Sequence, residues 1–218
     1  MSALLEGLLA GLEAMTVLEA VAVALALGYL VLAVRENIWC WACAFGSTAI
    51  YIGLFYEVAL LQESLLNVFY LVMAVYGWWQ WRHGGGDRGE LPVQRWSAGR
   101  HLTVIGGTSV VVVVAGTLFD RYTNADYPYL DAFTTWFAVV TTWMVARKVL
   151  ENWLYWFVID STAIYLYLQK GFVLTAVLFF VYLIIIVFGY RSWALSWKAQ
   201  QSAHEHPGLG ERRPRAEG

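Results

Sequence analysis

An aspartate inside a long apolar run is the residue of this chain whose chemistry is most demanding. Asp160 follows Trp153-Leu154-Tyr155-Trp156-Phe157-Val158-Ile159, and an unpaired charge at the centre of a bilayer costs about 2.5 to 3.5 kcal/mol on insertion scales. At helical spacing Asn152, Trp156 and Asp160 fall at i, i+4 and i+8 with Trp153 adjoining, so an amide, two indoles and a carboxylate share one stripe. Such a set binds rather than reacts: rings stack on the indoles, the amide orients, and the carboxylate meets positive charge. Asn67 and Tyr70, one turn apart in another apolar segment, are expected to close the same space from the facing side. Plainer roles compete: Asp160 as a protonated or hydrogen-bonded packing residue and the tryptophans as an interfacial belt.

No nucleophile with a base, phosphate-binding glycine loop or paired-carboxylate arrangement occurs, so no enzyme and no cofactor are expected. Cys40 and Cys43 have redox or zinc spacing, but they sit in an apolar helix without a second ligand pair and read as packing residues. His204-Glu205-His206, in a polar tail, is a weaker metal candidate still, and no metal site is expected.

The elements that must hold the stripe follow from composition. With 60% hydrophobic residues, 14% charged residues and 12 Trp, against about 25% charge in soluble domains, this is an all-α polytopic membrane protein. Net charge of −2 offers no nucleic-acid surface. The opening residues lack a basic n-region and a small-residue cleavage pattern, so no removable signal is expected. Spans of about 20 apolar residues are predicted at about 15–34, 38–56, 63–81, 101–119, 131–147, 152–169 and 172–193. If these seven helices alternate sides, 12 of the 14 Lys and Arg fall on one side, leaving Arg121 and Lys170 on the other. That asymmetry places the amino terminus outside and the carboxyl terminus in the cytoplasm. Glu19, Glu36, Glu63 and Glu151 near helix ends are expected to be solvated in the headgroup region, and Trp78, Trp79, Trp81, Trp193 and Trp197 in an aromatic belt.

The chain also repeats itself. Glu36-Asn-Ile-Trp-Cys-Trp41, Gly46-Ser-Thr-Ala-Ile-Tyr51 and Tyr76-Gly-Trp-Trp-Gln-Trp81 are echoed by Glu151-Asn-Trp-Leu-Tyr-Trp156, Asp160-Ser-Thr-Ala-Ile-Tyr165 and Phe188-Gly-Tyr-Arg-Ser-Trp193, at offsets of 115, 114 and 112 residues. By this echo Asn37 and Trp41 pair with Asn152 and Trp156, Gly46 with Asp160, and Asn67 and Tyr70 with Phe179 and Tyr182. Helices 5, 6 and 7 repeat helices 1, 2 and 3, and an intervening helix 4 gives both triplets the same orientation, a 3+1+3 parallel repeat. The expected organisation is an outer segment 1–14, a first bundle 15–81, a loop and linker helix 82–130, a second bundle 131–197 and a disordered cytoplasmic tail 198–218.

Glu151-Asn152-Trp153-Leu154-Tyr155-Trp156, the Gly189 and Trp193 ending, and Ser64-Leu-Leu-Asn-Val-Phe-Tyr70 through Tyr76-Gly77-Trp78 resemble the bacterial nicotinamide riboside transporter (PnuC) family over roughly Leu18 to Trp193. The resemblance implies a SWEET-like fold with one central site. It also implies facilitated diffusion of the vitamin across the bacterial inner membrane, with a cytoplasmic kinase trapping it for NAD biosynthesis. Familiar members carry Gln at the position of Asn67 and Asn at that of Asp160, and relatives carry thiamine or other vitamins and nucleosides. A proton-coupled carrier using Asp160 is the competing mechanism. The chain is compatible with a homo-oligomer and, beyond membrane lipid, with a small-molecule substrate as its partner.

Overall fold

A computed structural model describes residues 16–57, 61–86, 89–123, 126–169, 171 and 173–205. Seven α-helices cross the described residues: α1 (Val17–Val34), α2 (Cys40–Glu57), α3 (Leu61–His83), α4 (Ala98–Tyr122), α5 (Pro128–Ala146), α6 (Asn152–Gln169) and α7 (Val173–Glu205). The only β pairing among them is an isolated parallel bridge between Gln94 and Val149. Local chemistry sets the starts. The Thr16 hydroxyl accepts from the Glu19 backbone N–H at 3.2 Å, Ser97 accepts from Arg100 N–H at 3.4 Å, and Pro128 opens α5, where its missing N–H costs nothing.

The ends of α1 and α5 are built alike. Glu36 and Lys148 adopt left-handed backbone, φ 54° and 48°. Asn37 N–H reaches back to Leu32 C=O at 2.9 Å and Val149 N–H to Met144 C=O at 3.0 Å, the six-residue closure of a Schellman turn. These positions are 112 residues apart, and the same spacing recurs at the centre of the bundle. Trp41 covers Gly77 and Trp153 covers Gly189 so closely that a side chain on either glycine would collide with the indole. Trp81 and Trp193 each donate an indole N–H into the other half, to Val145 C=O at 3.1 Å and Ala33 C=O at 2.9 Å. The four rings form a continuous edge-to-face row: Trp41–Trp81 5.5 Å, Trp81–Trp193 6.0 Å, Trp193–Trp153 5.5 Å between centroids.

Helix neighbours follow the same pattern. α1 packs on α2 and α7, α2 on α3, α3 on α5, α5 on α6, and α6 on α7, while α4 packs on α5. The outer faces are apolar, with Val110, Val113, Val114 and Leu118 of α4 among the exposed side chains. By length and composition α1, α4 and Thr175–Ala203 within α7 can cross a membrane. The other four helices carry more Trp, Tyr, Thr and amide residues, which lowers their hydropathy without shortening them.

Three expectations are corrected. Trp81 and Trp193 are 2% and 0% exposed and belong to the core rather than a belt, because the glycines opposite the flanking indoles let the rings meet at the centre. Glu36 and Glu151 are paired with protein groups rather than freely solvated. Glu36 pairs with Lys148 Nζ at 3.2 Å, and Glu151, itself buried, accepts from Arg95 Nε at 2.7 Å and Trp96 N–H at 3.3 Å. Finally, α7 continues to Glu205, so residues 198–205 are helix rather than disordered tail. The segment 1–14, Lys170 and the tail from 206 lie outside the described residues, as do the side chains of Glu63, His204 and Glu205. The loop before α4 is tied down: Leu91 N–H bonds Trp81 C=O at 3.1 Å, Gln94 N–H bonds Lys148 C=O at 3.0 Å, and Leu91, Val93 and Trp96 are buried. Glu151 beside it holds the Arg95 guanidinium above its ordinary range.

The glycine under Trp153 is the sharpest packing constraint. An Ala at 189 would place its Cβ 2.5 Å from that buried ring, an overpacking expected to cost about 1–3 kcal/mol. Gly189→Ala should therefore lower the melting temperature in detergent by several degrees, whereas Gly53→Ala, with open space around it, should leave it within about a degree.

Candidate functional site

Just beyond the tryptophan row lies a cavity of about 230 Å³ bounded by α1, α6, α7 and the end of α5. Ala33 and Val145, whose carbonyls receive the two indoles, form part of its wall. Ala26, Tyr29 and Leu30 come from α1, Asn152, Trp153, Trp156 and Asp160 from α6, and Phe179, Tyr182 and Ile186 from α7. One face of α6 brings Asn152, Trp153, Trp156 and Asp160 to the same space.

Asn67 and Tyr70 are not among the lining residues. They sit half-buried on α3, which packs on α2 and α5 rather than along the cavity. Their counterparts 112 residues on, Phe179 and Tyr182, line it instead. Tyr29, also missed, stands where the second half has Thr141, which is wholly buried and bonds Phe137 C=O of its own helix. A signal for Phe179 and Tyr182 was present in the repeat, which pairs them with Asn67 and Tyr70.

The register of the echo needs correcting as well. Glu-Asn-x-x-x-Trp aligns Trp41 with Trp156, but in space Trp41 matches Trp153, each capped by its glycine and its tryptophan. Buried Ser47, which bonds Ala22 C=O at 2.9 Å, likewise does not match the exposed Ser161 of the Ser-Thr-Ala-Ile-Tyr echo. At the 112-residue register Asn152 replaces Cys40, Trp156 replaces Ala44 and Asp160 replaces Thr48. Cys40 and Asn152 are both fully buried. Thr48 satisfies its hydroxyl on Ala44 C=O at 2.8 Å.

The α6 groups are less satisfied. Asn152 donates its amide to Val149 C=O at 2.7 Å, but its carbonyl oxygen has no partner, and neither has the Trp153 indole N–H. Asp160 is 4% exposed and forms no hydrogen bond or ion pair among the described residues. A buried polar group without a partner costs about 1–3 kcal/mol, and more when charged. Asn152 Oδ1, Trp153 Nε1 and the Asp160 carboxyl group thus lie beside the cavity without protein partners. Around them Trp156, Tyr29, Phe179 and Tyr182 supply aromatic surface, and Phe179 and Tyr182 lie 5.3 Å apart.

A mostly apolar chamber with a few polar atoms, inside a bundle of apolar-faced helices, defines a multi-pass membrane protein suited to a small solute. Residues 16–195 match the family described as nicotinamide mononucleotide transporter, and the chain belongs to that family. Over 176 residues it is 26% identical to the riboflavin/roseoflavin transporter RibM of Streptomyces davaonensis, covering 79% of this chain and 80% of that protein. It is 22% identical over 178 residues to the nicotinamide riboside transporter PnuC of Escherichia coli, covering 68% and 73%. A crystal structure of the vitamin B3 transporter PnuC shares the fold, with a TM-score of 0.66 at 21% identity over 84% of this chain and 82% of that one. The resemblance read from the Glu-Asn-Trp and Tyr-Gly-Trp segments thus identified the family.

A site built for a ligand leaves the empty protein strained. Replacing Asp160 by Leu removes the uncompensated carboxylate, a change expected to stabilise by about 1–4 kcal/mol. Thermal unfolding in detergent at neutral pH should rise by several degrees, while Trp153→Ala, which empties the row of rings, should lower it.

Proposed function

We propose that this chain carries nicotinamide riboside across the bacterial inner membrane by facilitated diffusion, and that phosphorylation by a cytoplasmic kinase retains the product. The observation that carries the reading is Asp160, an anion facing the cavity without a protein counter-charge. A pyridinium ring supplies the missing cation, Trp156 and Phe179 offer faces for it, and a carboxamide has the donor and acceptor that Asn152 Oδ1 and Trp153 Nε1 lack. The similarity to the Escherichia coli nicotinamide riboside transporter agrees with this. In this reading the seven helices form two parallel three-helix bundles, α1–α3 and α5–α7, joined by α4 in a SWEET-like 3+1+3 arrangement. The basic ends of the helices face the cytoplasm, and the amino terminus lies outside.

A second substrate has its own support. The relative matched at 26% over 79% of the chain transports riboflavin, a neutral molecule whose ring system also suits an aromatic chamber. Thiamine, a thiazolium cation, would use Asp160 as nicotinamide riboside does. Asn67 and Tyr70 contribute in this proposal only if the bundles move, bringing α3 to the substrate.

Calorimetric titration of purified protein with nicotinamide riboside, thiamine and riboflavin distinguishes these. Nicotinamide riboside should bind tightest, and Asp160→Asn should weaken it by about tenfold or more, as expected for loss of a charge-assisted contact. Tighter binding of riboflavin, unaffected by that substitution, would transfer the assignment to the flavin. In liposomes without kinase, nicotinamide riboside should equilibrate without accumulating. Uphill uptake driven by an imposed pH gradient would make Asp160 a proton carrier instead.

A further inference from the structure

We infer that Glu36 and Lys148 form a latch that closes the basic end of the cavity, a deepening that rests on the transporter reading. Glu36 and Lys148 occupy equivalent left-handed positions just after α1 and α5. Their side chains meet at 3.2 Å, joining the two halves at that end. Lys148 is 4% exposed, and its ammonium also lies 4.6 Å from the centre of the Trp81 ring. Three residues before each member of the pair stand Ala33 and Val145, cavity-wall residues whose carbonyls take the Trp193 and Trp81 indole N–H groups. The ion pair, the cation over the indole and the two indole bonds thus form one layer between the cavity and the outer recess bordered by Glu36, Trp39, Glu90 and Lys148.

A ligand can leave on this side only if that layer parts, and every contact in it joins one half to the other. The layer is also linked to the site. Lys148 and Asn152 flank one turn, and Asn152 Nδ2 donates to Val149 C=O within it, so a ligand that engages the free Asn152 oxygen pulls on the segment holding Lys148. Glu151, in the same turn, is fixed to Arg95 and Trp96, which ties the turn to the segment before α4. The latch is therefore a positioning device, and neither charge needs to touch substrate.

The test reads access to the cavity and needs no ligand. A cysteine introduced by Ala26→Cys, on the cavity wall, is labelled with a membrane-impermeant maleimide in inverted and in right-side-out vesicles, with the labelling of native Cys40 and Cys43 in the parent subtracted. Glu36→Gln and Lys148→Met should each raise labelling from the basic side by more than about tenfold, because breaking a buried pair leaves an uncompensated charge and opens the layer. The double variant Glu36→Lys/Lys148→Glu should return labelling to within about threefold of the parent. Unchanged labelling in both single variants overturns the latch, and so does a double variant that labels as fast as the singles. Size-exclusion profiles identify any variant that has merely unfolded. The substrate reading is tested separately: faster labelling with no vitamin binding rejects only the substrate, and vitamin binding with unchanged labelling rejects only the latch.

Discussion

Carbonyl groups at the ends of helices are what this bundle has to satisfy. Inside an apolar bundle a helix end has little water to complete its hydrogen bonds. Ala33 and Val145 stand at two such ends, and in each the Schellman turn already takes one lone pair. The second is taken by an indole from the opposite half, Trp193 or Trp81. Because each donor sits on the last helix of one half and each acceptor on the first helix of the other, neither half satisfies its own carbonyl. The row of four indoles follows from this: once Trp81 and Trp193 are drawn inward, Trp41 and Trp153 can pack on them only where Gly77 and Gly189 leave room.

That shared framework makes the departures from it informative. At the 112-residue register, Cys40 against Asn152, Thr48 against Asp160, Asn67 against Phe179 and Thr141 against Tyr29 all differ. In each pair the cavity-lining member comes from α1, α6 or α7. The opposite side is filled, with Thr141 and Thr142 buried and bonded to their own helix. The repeated framework thus carries a chamber on the α1, α6 and α7 side, with Tyr29, Trp156, Phe179, Tyr182 and the Asp160 carboxyl group in its wall. Burial that would be a fault in a packing residue is tolerable where a ligand completes the bonds.

The helices were legible because apolar runs bounded by Arg, Gly and Pro leave little choice, and each predicted span overlaps an observed helix. The α6 stripe was legible for the same reason, since periodicity alone puts Asn152, Trp156 and Asp160 together. The register between the halves was not. Matching Glu-Asn and Trp letters rewarded an offset of 115, yet both halves have three residues, 37–39 and 149–151, between the left-handed position and the next helix, and the Glu-Asn pair sits in the turn in one half and at the start of α6 in the other. Only the glycine under each indole shows which tryptophans are equivalent. The burial of Trp81, Trp193 and Glu151 and the pairing of Glu36 were hidden too, because charged and aromatic residues at span ends have the same composition whether they face lipid headgroups or each other.

The pair at the basic end shows what repetition alone cannot provide. Equivalent positions that meet across an axis between two halves would, in an unchanged repeat, present identical side chains to one another. Two glutamates or two lysines at that separation would repel, at greater cost in a buried setting than in water. Glu36 facing Lys148 therefore requires the two halves to differ, and the left-handed turn, identical in both, supplies the backbone that lets them touch. Divergence at this level gives the repeated framework a heteropolar contact at the basic end of the cavity. The ion pair is the outermost contact of that layer, and parting it loosens the turn that also holds Asn152, whereas the indole bonds to Ala33 and Val145 cannot part without moving the cavity wall. Opening at the basic end must therefore begin with the charges and finish with the tryptophans.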